Sequence, residues 1–265
     1  TEGTEGELVI TRLLEYSHTI KNVYFNATVA FKKKDIRRDK TGQIMARAGA
    51  FGKKAAGFWE EKVADFYIAA DQIVCYDKTP FFGNQHQDDP DQTPQSNMVD
   101  VDISTFPTAV QGTPEQPSPE EMMLTVFKGI EIMGGFKNRF GQPLDMTDGE
   151  FTVCAPLKYM GAAMSGLKTA SFLNTGDNVV QAATGKINLV CNQRFDPLGN
   201  SIIVQAVPTN TASPVLVQEE TQLELEVLGQ GSDHWVTHDE MLMKASKNGA
   251  VGAGFWQMAV KLNLT

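Results

Sequence analysis

The sequence has few of the features that mark a membrane protein or a nucleic-acid-binding protein. No apolar run approaches 18 residues, so no membrane-spanning helix is predicted. The 265 residues include 23 Lys and Arg against 32 Asp and Glu, a net charge of −9. A protein that grips nucleic acid usually has a basic excess, so DNA binding over the whole surface is disfavoured, although confinement near DNA is not. No signal peptide is evident, and because the chain starts at Thr1 we expect a processed or trimmed N-terminus.

Cysteine is also scarce. Cys75, Cys154 and Cys191 are odd in number, widely spaced and set in apolar or strand-like surroundings. A disulfide framework needs paired cysteines at close, regular spacings, so we predict reduced, buried thiols in a protein made in the cytoplasm.

The motifs of several enzyme classes are missing as well. The sequence contains no G-x-x-x-x-G-K-[ST] phosphate loop and no G-x-S-x-G nucleophile elbow. Glu60 and Glu61 are adjacent on a predicted helix and therefore point in different directions, which makes a poor acid–base pair. We expect no catalytic residue and no cofactor.

Two groups of residues have the chemistry of metal ligands. His234 and His238 are four residues apart, the spacing that aligns two ligands on a helix, but HWVTHDE lacks the glutamate of zinc proteases and equally suits a surface turn. His86 with Asp88 and Asp89 could bind a hard cation, although a Gln- and Pro-rich loop surrounds them. We predict no metal site, and a small metal-binding enzyme centred on His234 and His238 stays as an alternative.

Two periodic segments dominate the first third of the chain. In residues 23–31 (VYFNATVAF), the side chains of Val23, Phe25, Ala27, Val29 and Phe31 alternate with polar ones, which predicts a strand with one covered face. From Gln43 the apolar spacing changes to three and four, and no proline interrupts residues 43–72. This pattern predicts one helix of roughly 45 Å. Its stripe consists of Ile44, Ala48, Phe51, Ala55, Phe58, Trp59, Lys62, Val63, Phe66, Tyr67 and Ala70.

The remaining segments predict a mixture of helices and strands. Ser118-Pro119-Glu120-Glu121 has the composition of a helix start, and Gly134-Gly135 ends that helix. A second helix is predicted over 157–173. Strands are predicted over 8–14, 73–76, 151–155, 187–191, 201–207, 222–228 and 251–264, and a long loop over 83–119. The non-alternating order of these elements favours an α+β fold over a wound parallel sheet.

Residues 32–40 form a strongly basic segment between the predicted strand and helix. It contains Lys32, Lys33, Lys34, Arg37, Arg38 and Lys40. One interpretation is a solvated link. The other is a contact with an acidic patch on a neighbouring subunit or with packaged nucleic acid.

Three patches resemble the Mu-like major head subunit family of tailed phages. They are residues 16–70 (from YSHTIKNVYFN to DFYIAA), CYDKTPFFGNQH at 75–86, and MLMKASKNGAVGAGFWQMAV at 241–260, and they occur in the family's order. None is a catalytic signature. One departure is the basic segment at 32–40, where the family pattern suggests more acidic surroundings.

The resemblance implies an HK97-like capsid fold and a division of the chain. Residues 1–7 would be an N-terminal arm, and 8–34 an extended hairpin loop reaching over a neighbour. Residues 35–117 would form the peripheral domain with the spine helix 43–72. Residues 118–231 would form mainly the axial domain, and 232–265 would return to the peripheral domain.

The resemblance also implies a function: a non-enzymatic major capsid subunit that assembles into the icosahedral head around phage DNA. The expected partners are copies of itself in hexamers and pentamers, the portal, a scaffold or maturation protease and a decoration protein, with non-specific proximity to DNA and no membrane. The protein would be made in the host bacterial cytoplasm and reside in the virion. A cellular nanocompartment shell (encapsulin-like) of the same fold is the alternative.

On this interpretation, the hairpin and the basic segment supply the contacts between subunits, and Leu8 to Phe31 should contact other subunits more than its own core. The candidate contact residues are Tyr16, His18, Lys21, Tyr24, Phe25, Lys32, Lys33, Arg37 and Arg38.

Overall fold

The computed structural model describes residues 19–87, 93–138, 141–144, 150–168, 187–207 and 213–265. The strands are β1 (Val23–Lys32), β2 (Met98–Val101), β3 (Phe151–Ala155), β4 (Ile187–Cys191), β5 (Ser201–Ala206), β6 (Val215–Leu228), β7 (Glu240–Ala253) and β8 (Ala259–Leu264). The helices are α1 (Lys33–Arg38), α2 (Gln43–Ala56), α3 (Phe58–Ala69), α4 (Pro119–Gly135), α5 (Met160–Lys168) and α6 (Asp233–His238). The predicted strands at 8–14 and the arm at 1–7 lie outside the described residues.

The larger sheet has five strands in the order β2-β8-β5-β3-β4. The outer pairs β2–β8 and β3–β4 are parallel, whereas β5 is antiparallel to both of its neighbours. Because this mixed sheet combines strands that are distant in sequence, it suits the predicted α+β class and not a wound parallel sheet.

The smaller sheet has three strands in the order β1-β7-β6. All ten residues of β1 pair antiparallel with β7, from Val23 opposite Gly249 to Lys32 opposite Glu240. Strand β6 pairs with the other edge of β7, with register shifts between Glu219 and Thr221 and between Thr221 and Glu224. Strands β6 and β7 form a long hairpin whose connection contains α6, and among the described strands β1 and β6 lie at the two edges of this sheet.

The predicted helix over 43–72 is present as two helices that meet at Gly57. The Gly57 amide donates to the Lys53 carbonyl at 3.0 Å, and its own carbonyl accepts from Glu61, so the hydrogen-bond ladder continues. However, the Gly57 ψ of 12° departs from a helical value, and glycine tolerates such a local break. Every residue of the predicted stripe is half-buried or buried. The stripe is confirmed, and residues 70–72 form a turn beyond the helix.

Helix α3 and the five-stranded sheet share one apolar core. Ala64, Phe66 and Tyr67 of α3 are buried with Phe81, Phe82 and Trp256. The Tyr67 hydroxyl also donates to Gln205 on β5. The desolvation caused by this burial raises the pKa of Tyr67 well above its usual value. The C-terminal half of α3 is therefore anchored in the main core.

A buried polar cluster holds the chain after α3. Residues 73–76 contribute only a single bridge, Val74 with Pro80, and not the predicted strand. His86 Nδ1 lies 2.5 Å from Asp77 Oδ2, and both side chains are buried. The His86 ring stacks on Trp256 with the ring centroids 4.2 Å apart. His86 is thus part of the core, and Asp88 and Asp89, its predicted partners in a cation site, lie outside the described residues.

Helix α4 begins with the predicted Ser118 cap. Ser118 Oγ accepts from the Glu121 amide, and the Glu121 carboxylate accepts from the Ser118 amide at 2.8 Å, which is a capping box. The same buried carboxylate accepts from the Gly112 amide at 3.0 Å, so it fastens the preceding loop to the helix.

We expect Glu121→Ala to lower the free energy of unfolding by about 2 kcal/mol, because it removes the cap and leaves two amides unpaired. Urea denaturation followed by circular dichroism measures this loss. Glu131→Ala on the same helix is the control, since Glu131 is exposed and its ion-pair partner among the described residues, Lys128, is also at the surface. Equal losses for the two variants would contradict the role of the capping box.

The second predicted helix, over 157–173, begins as a 3-10 turn at Leu157–Tyr159 and continues as α5 to Lys168, with the rest outside the described residues. Strand β6 starts at Val215, seven residues before the predicted Gln222. The predicted boundary at residue 231 lies inside the β6–β7 hairpin. The segment 232–265 contributes β7 to the small sheet and β8 to the large one.

Candidate assembly surface

The three-stranded sheet has one face covered by the long helix. Phe25 of β1 packs on Phe58 with the ring centroids 4.7 Å apart. Lys247, opposite Phe25 on β7, places its ammonium 5.1 Å from the Trp59 ring. Phe31 is buried and Val29 half-buried on this face, whereas Val23 and Ala27, predicted to be covered, are exposed. The covered face therefore fastens the sheet to its own chain.

A polar cluster joins the helix to the hairpin across this face. The Trp59 indole donates to Glu219 Oε1 at 2.8 Å, and Lys247 Nζ lies 3.5 Å from the same oxygen. The hydrogen bond from Trp59, together with the Lys247 charge, lowers the pKa of Glu219. Trp59 can approach β7 closely because Gly249 has no side chain. A Cβ at Gly249 would lie 2.7 Å from the Trp59 ring.

The other face of the sheet exposes the side chains of its two outer strands, β1 and β6, whereas Ser246 at its centre is only 5% exposed. Residues directly opposite each other share a face, so Asn26, Ser246 and Glu224 lie together, as do Thr28, Lys244 and Glu226. Lys244 binds Glu226 at 3.1 Å, which raises the pKa of the lysine. Tyr24 lies on this face and is 55% exposed. Edge strand β6 also exposes Leu225, Val227 and Leu228. Long, apolar, unpaired edges are pairing sites for another chain.

The basic segment forms one end of the small sheet. Residues 33–38 of this segment form helix α1, which has no buried residue. The backbone and side chain of Lys33 bind Asp239 at 2.8 and 3.1 Å, and its ammonium lies over the Trp235 ring. A cleft of about 570 Å³ is lined by Lys32, Lys33, Lys34, Arg37, Arg38, His238, Asp239 and Glu240.

Asp39 connects the basic segment to the start of α2 by hydrogen bonds. Its carboxylate accepts from the amides of Ile44 at 2.8 Å and Gln43 at 3.2 Å. These hydrogen bonds, that from Ile44 above all, lower the pKa of Asp39. The negative charge of Asp39 is thus used inside the chain, at the start of α2, where it complements the helix dipole.

The candidate contact residues fall into two groups. Lys21 and Tyr24 lie at the beginning of β1, and Lys32, Lys33, Arg37 and Arg38 at its end, roughly 27 Å away along the strand. Phe25 points to the covered face. Tyr16 and His18 lie outside the described residues. Since β1 pairs along its whole length within the chain, this half of the predicted hairpin belongs to a sheet of the subunit itself.

His234 and His238 lie on α6, beside the basic end. Their rings stack at 4.4 Å with an interplanar angle of 15°. The described residues contain no group of three or more His, Cys, Asp and Glu side chains placed to hold a metal. In the same described part of the chain, no helix has the length and apolarity needed to cross a bilayer.

The sequence patterns missed the exposed outer edge formed by β6. The alternation in LELEVL at 223–228 is visible, but it predicts a strand without saying that both faces stay accessible. The sequence patterns also missed Asn97. Its buried side chain donates to the carbonyls of Phe81, Trp256 and Ala259, and the last two are far away in the sequence.

Comparison with known proteins gives a family match over part of the chain and a fold. Residues 5–107 match the family model described as Mu-like prophage major head subunit gpT. No curated protein sequence matches the chain. Among solved structures, the chain is similar to the capsid of the cyanophage P-SCSP1u, with a TM-score of 0.56 and 13% identity over 100% of this chain and 80% of the other.

Two further capsids give the same result. The mature capsid of bacteriophage PhiM1 matches with a TM-score of 0.55 and 14% identity, covering 100% of this chain and 79% of the other. The capsid of Myoviridae phage XM1 matches with a TM-score of 0.52 and 10% identity, covering 93% and 74%. The chain is a capsid shell protein with the HK97-like fold.

The resemblance to the Mu-like head subunit and the predicted α+β HK97-like fold are confirmed. The family match favours a phage shell over a nanocompartment shell. As a capsid protein, the subunit associates with copies of itself and is located in the virion.

Proposed function

We propose that the subunit builds the icosahedral head of a tailed phage from hexamers and pentamers and encloses the phage DNA. The observation that carries this proposal is the HK97-like fold together with the head-subunit match over residues 5–107. The two edges of the small sheet support it, because in the described part of the chain β1 and β6 offer backbone hydrogen-bonding groups and apolar side chains to neighbouring copies.

The proposed roles of the segments are those that the family resemblance implies. Residues 8–34 reach toward a neighbour, 35–117 form the peripheral domain, 118–231 mainly the axial domain, and 232–265 return. The contacts between subunits are proposed at Tyr16, His18, Lys21, Tyr24, Lys32, Lys33, Arg37 and Arg38, whereas Phe25, the remaining candidate, packs on Phe58 within the subunit. A negative net charge of −9 would keep the inner wall from adhering to packaged DNA.

The subunit is proposed to act without catalysis. It would be synthesised in the host cytoplasm and would meet a portal, a scaffold or maturation protease and a decoration protein during head assembly. Neighbouring genes discriminate between the shell types, since a phage head requires terminase, portal and protease genes and a nanocompartment requires a cargo enzyme.

Electron microscopy and sedimentation of the purified protein test the proposal. We expect rings or closed shells with sixfold and fivefold contacts, because heterologous interfaces close when their rotation closes. A protein that stays a compact monomer under all assembly conditions, also with its phage partners, would contradict it. A stoichiometric metal in the purified protein would favour the enzyme alternative at His234 and His238.

A further inference from the structure

The basic end of the small sheet carries more positive charge than the described residues neutralise. Within the described residues, Lys33 has an ion-pair partner, Asp239, whereas the charged groups of Lys32, Lys34, Arg37 and Arg38 have none. Lys33 with Arg37 and Lys34 with Arg38 are also like-charge pairs four residues apart on α1. Such pairs destabilise a helix, so an anion supplied from outside would stabilise this end.

A complementary surface exists on the same chain. Glu220, Glu224 and Glu226 lie on edge strand β6, and the register places Glu224 and Glu226 on the face of the sheet away from the long helix. Glu220 accepts from the amides of Asn22 and Asn248, and Glu226 pairs with Lys244. In the part of the chain that the structure describes, Glu224 has no ion-pair partner.

The two surfaces match in size as well as in sign. From Glu220 to Glu226 the carboxylates span roughly 15 Å of strand, because the two register shifts shorten this stretch. Helix α1 is about 9 Å long, and its long lysine and arginine side chains extend that reach at both ends. Several cations of one copy can therefore meet several carboxylates of another.

We propose that the basic end of one subunit (Lys32, Lys34, Arg37 and Arg38) docks on the acidic face of β6 (Glu220, Glu224 and Glu226) of a second copy. This inference rests on the proposed function, which brings copies of the chain side by side. A second copy fits better than nucleic acid, because the net charge of −9 makes the rest of each copy acidic and disfavours close approach of DNA.

The contact is heterologous, since it joins two different surfaces. The two surfaces consist of different residues. A copy whose basic end is engaged therefore still offers its own acidic face to the next copy. Repetition of such a contact gives a closed ring when its rotation closes, which is the geometry that a shell needs.

Charge reversal tests the proposal. Arg37→Glu/Arg38→Glu and, separately, Glu224→Lys/Glu226→Lys should each raise the critical concentration for assembly about tenfold or more at low salt. The chain with all four substitutions should recover assembly to within about threefold of the unaltered protein, because attraction is restored with reversed signs. Light scattering and sedimentation measure assembly, and thermal unfolding establishes that each variant is folded.

The matched control is Lys53→Glu/Lys54→Glu, which makes the same change of charge at exposed positions on α2. Its critical concentration should stay within about twofold of that of the unaltered protein.

If all folded variants behave like this control, or if the variant with all four substitutions fails to recover assembly, the docking proposal is wrong while the proposed function stands. If Arg37→Glu/Arg38→Glu instead abolishes binding to duplex DNA and leaves assembly unchanged, the basic end serves nucleic acid and the docking proposal is overturned. If the unaltered protein never assembles, the proposed function fails first and the docking proposal with it.

Discussion

Replacing Asn97 with leucine is expected to lower the melting temperature by roughly 6 to 20 °C, which corresponds to about 3 to 5 kcal/mol for a protein of this size. Asn97 is fully buried between the α3 loop and the five-stranded sheet. Its Nδ2 lies 2.7 Å from the Phe81 carbonyl and 3.2 Å from those of Trp256 and Ala259. One side chain thus ties three segments together.

The acceptor side of Asn97 is used as well. Its Oδ1 accepts from the Gly83 amide at 2.9 Å, and its backbone carbonyl accepts from Lys261 on β8 at 2.8 Å. Leucine keeps the volume but leaves the Gly83 amide and three carbonyls without this partner. Buried groups in that state cost about 1 to 3 kcal/mol each. Since domains are stable by only about 5 to 15 kcal/mol, we expect few subunits to reach an assembled shell.

Circular dichroism during heating measures the loss, and Asn84→Leu in the same loop is the control. Asn84 is exposed, and its replacement should change stability by less than about 0.5 kcal/mol. Asn97→Asp keeps the acceptor for the Gly83 amide but places a buried carboxylate against three carbonyl oxygens, so its melting temperature should fall at least as far as that of Asn97→Leu. A melting temperature for Asn97→Leu equal to that of Asn84→Leu would show that the three carbonyls find other partners.

The elements that local pattern determines could be predicted from the sequence. The helical stripe from Ile44 to Ala70, strand β3 at 151–155 and the cap at Ser118 depend on neighbours within a few residues, and the structure contains all three. The basic segment at 32–40 was visible as charge, but its folding into α1 depends on Asp239, some 200 residues away in the sequence.

What joins distant segments could not be predicted. The pairing of β1 with β7, and the place of β8 between β2 and β5, are decided by packing in the whole chain. Asp77 and His86 were noticed as part of a family patch, yet their direct contact beneath Trp256 requires the loop to fold back on the core. A lone asparagine such as Asn97 carries no periodic pattern at all.

Replacing Gly166 with alanine is expected to destabilise the subunit by about 3 kcal/mol, because α5 crosses the start of α4 without room for a methyl group. A Cβ at Gly166 would lie 2.2 Å from the Pro119 carbonyl oxygen and 3.4 Å from Met123 Cβ. The obstacle at Pro119 is backbone, at the first residue of α4, and the capping box at Ser118 and Glu121 holds that residue in place. The helices must therefore separate, and a shift of either one disturbs the packing of Met123 and Leu167.

Gly161→Ala on the same helix gives the opposite expectation, and this contrast is the test. No atom lies within 4 Å of a Cβ built at Gly161. Alanine there should stabilise the protein by roughly 0.5 to 1 kcal/mol, because alanine favours a helix and reduces the conformational entropy of the unfolded chain. Urea denaturation of both variants measures the difference, which should be about 4 kcal/mol in total. Because the two substitutions are chemically identical, only the contact with Pro119 separates them. A Gly166→Ala variant as stable as Gly161→Ala would mean that α4 and α5 move apart freely, and the close crossing of the two helices would then contribute nothing to the stability of the subunit.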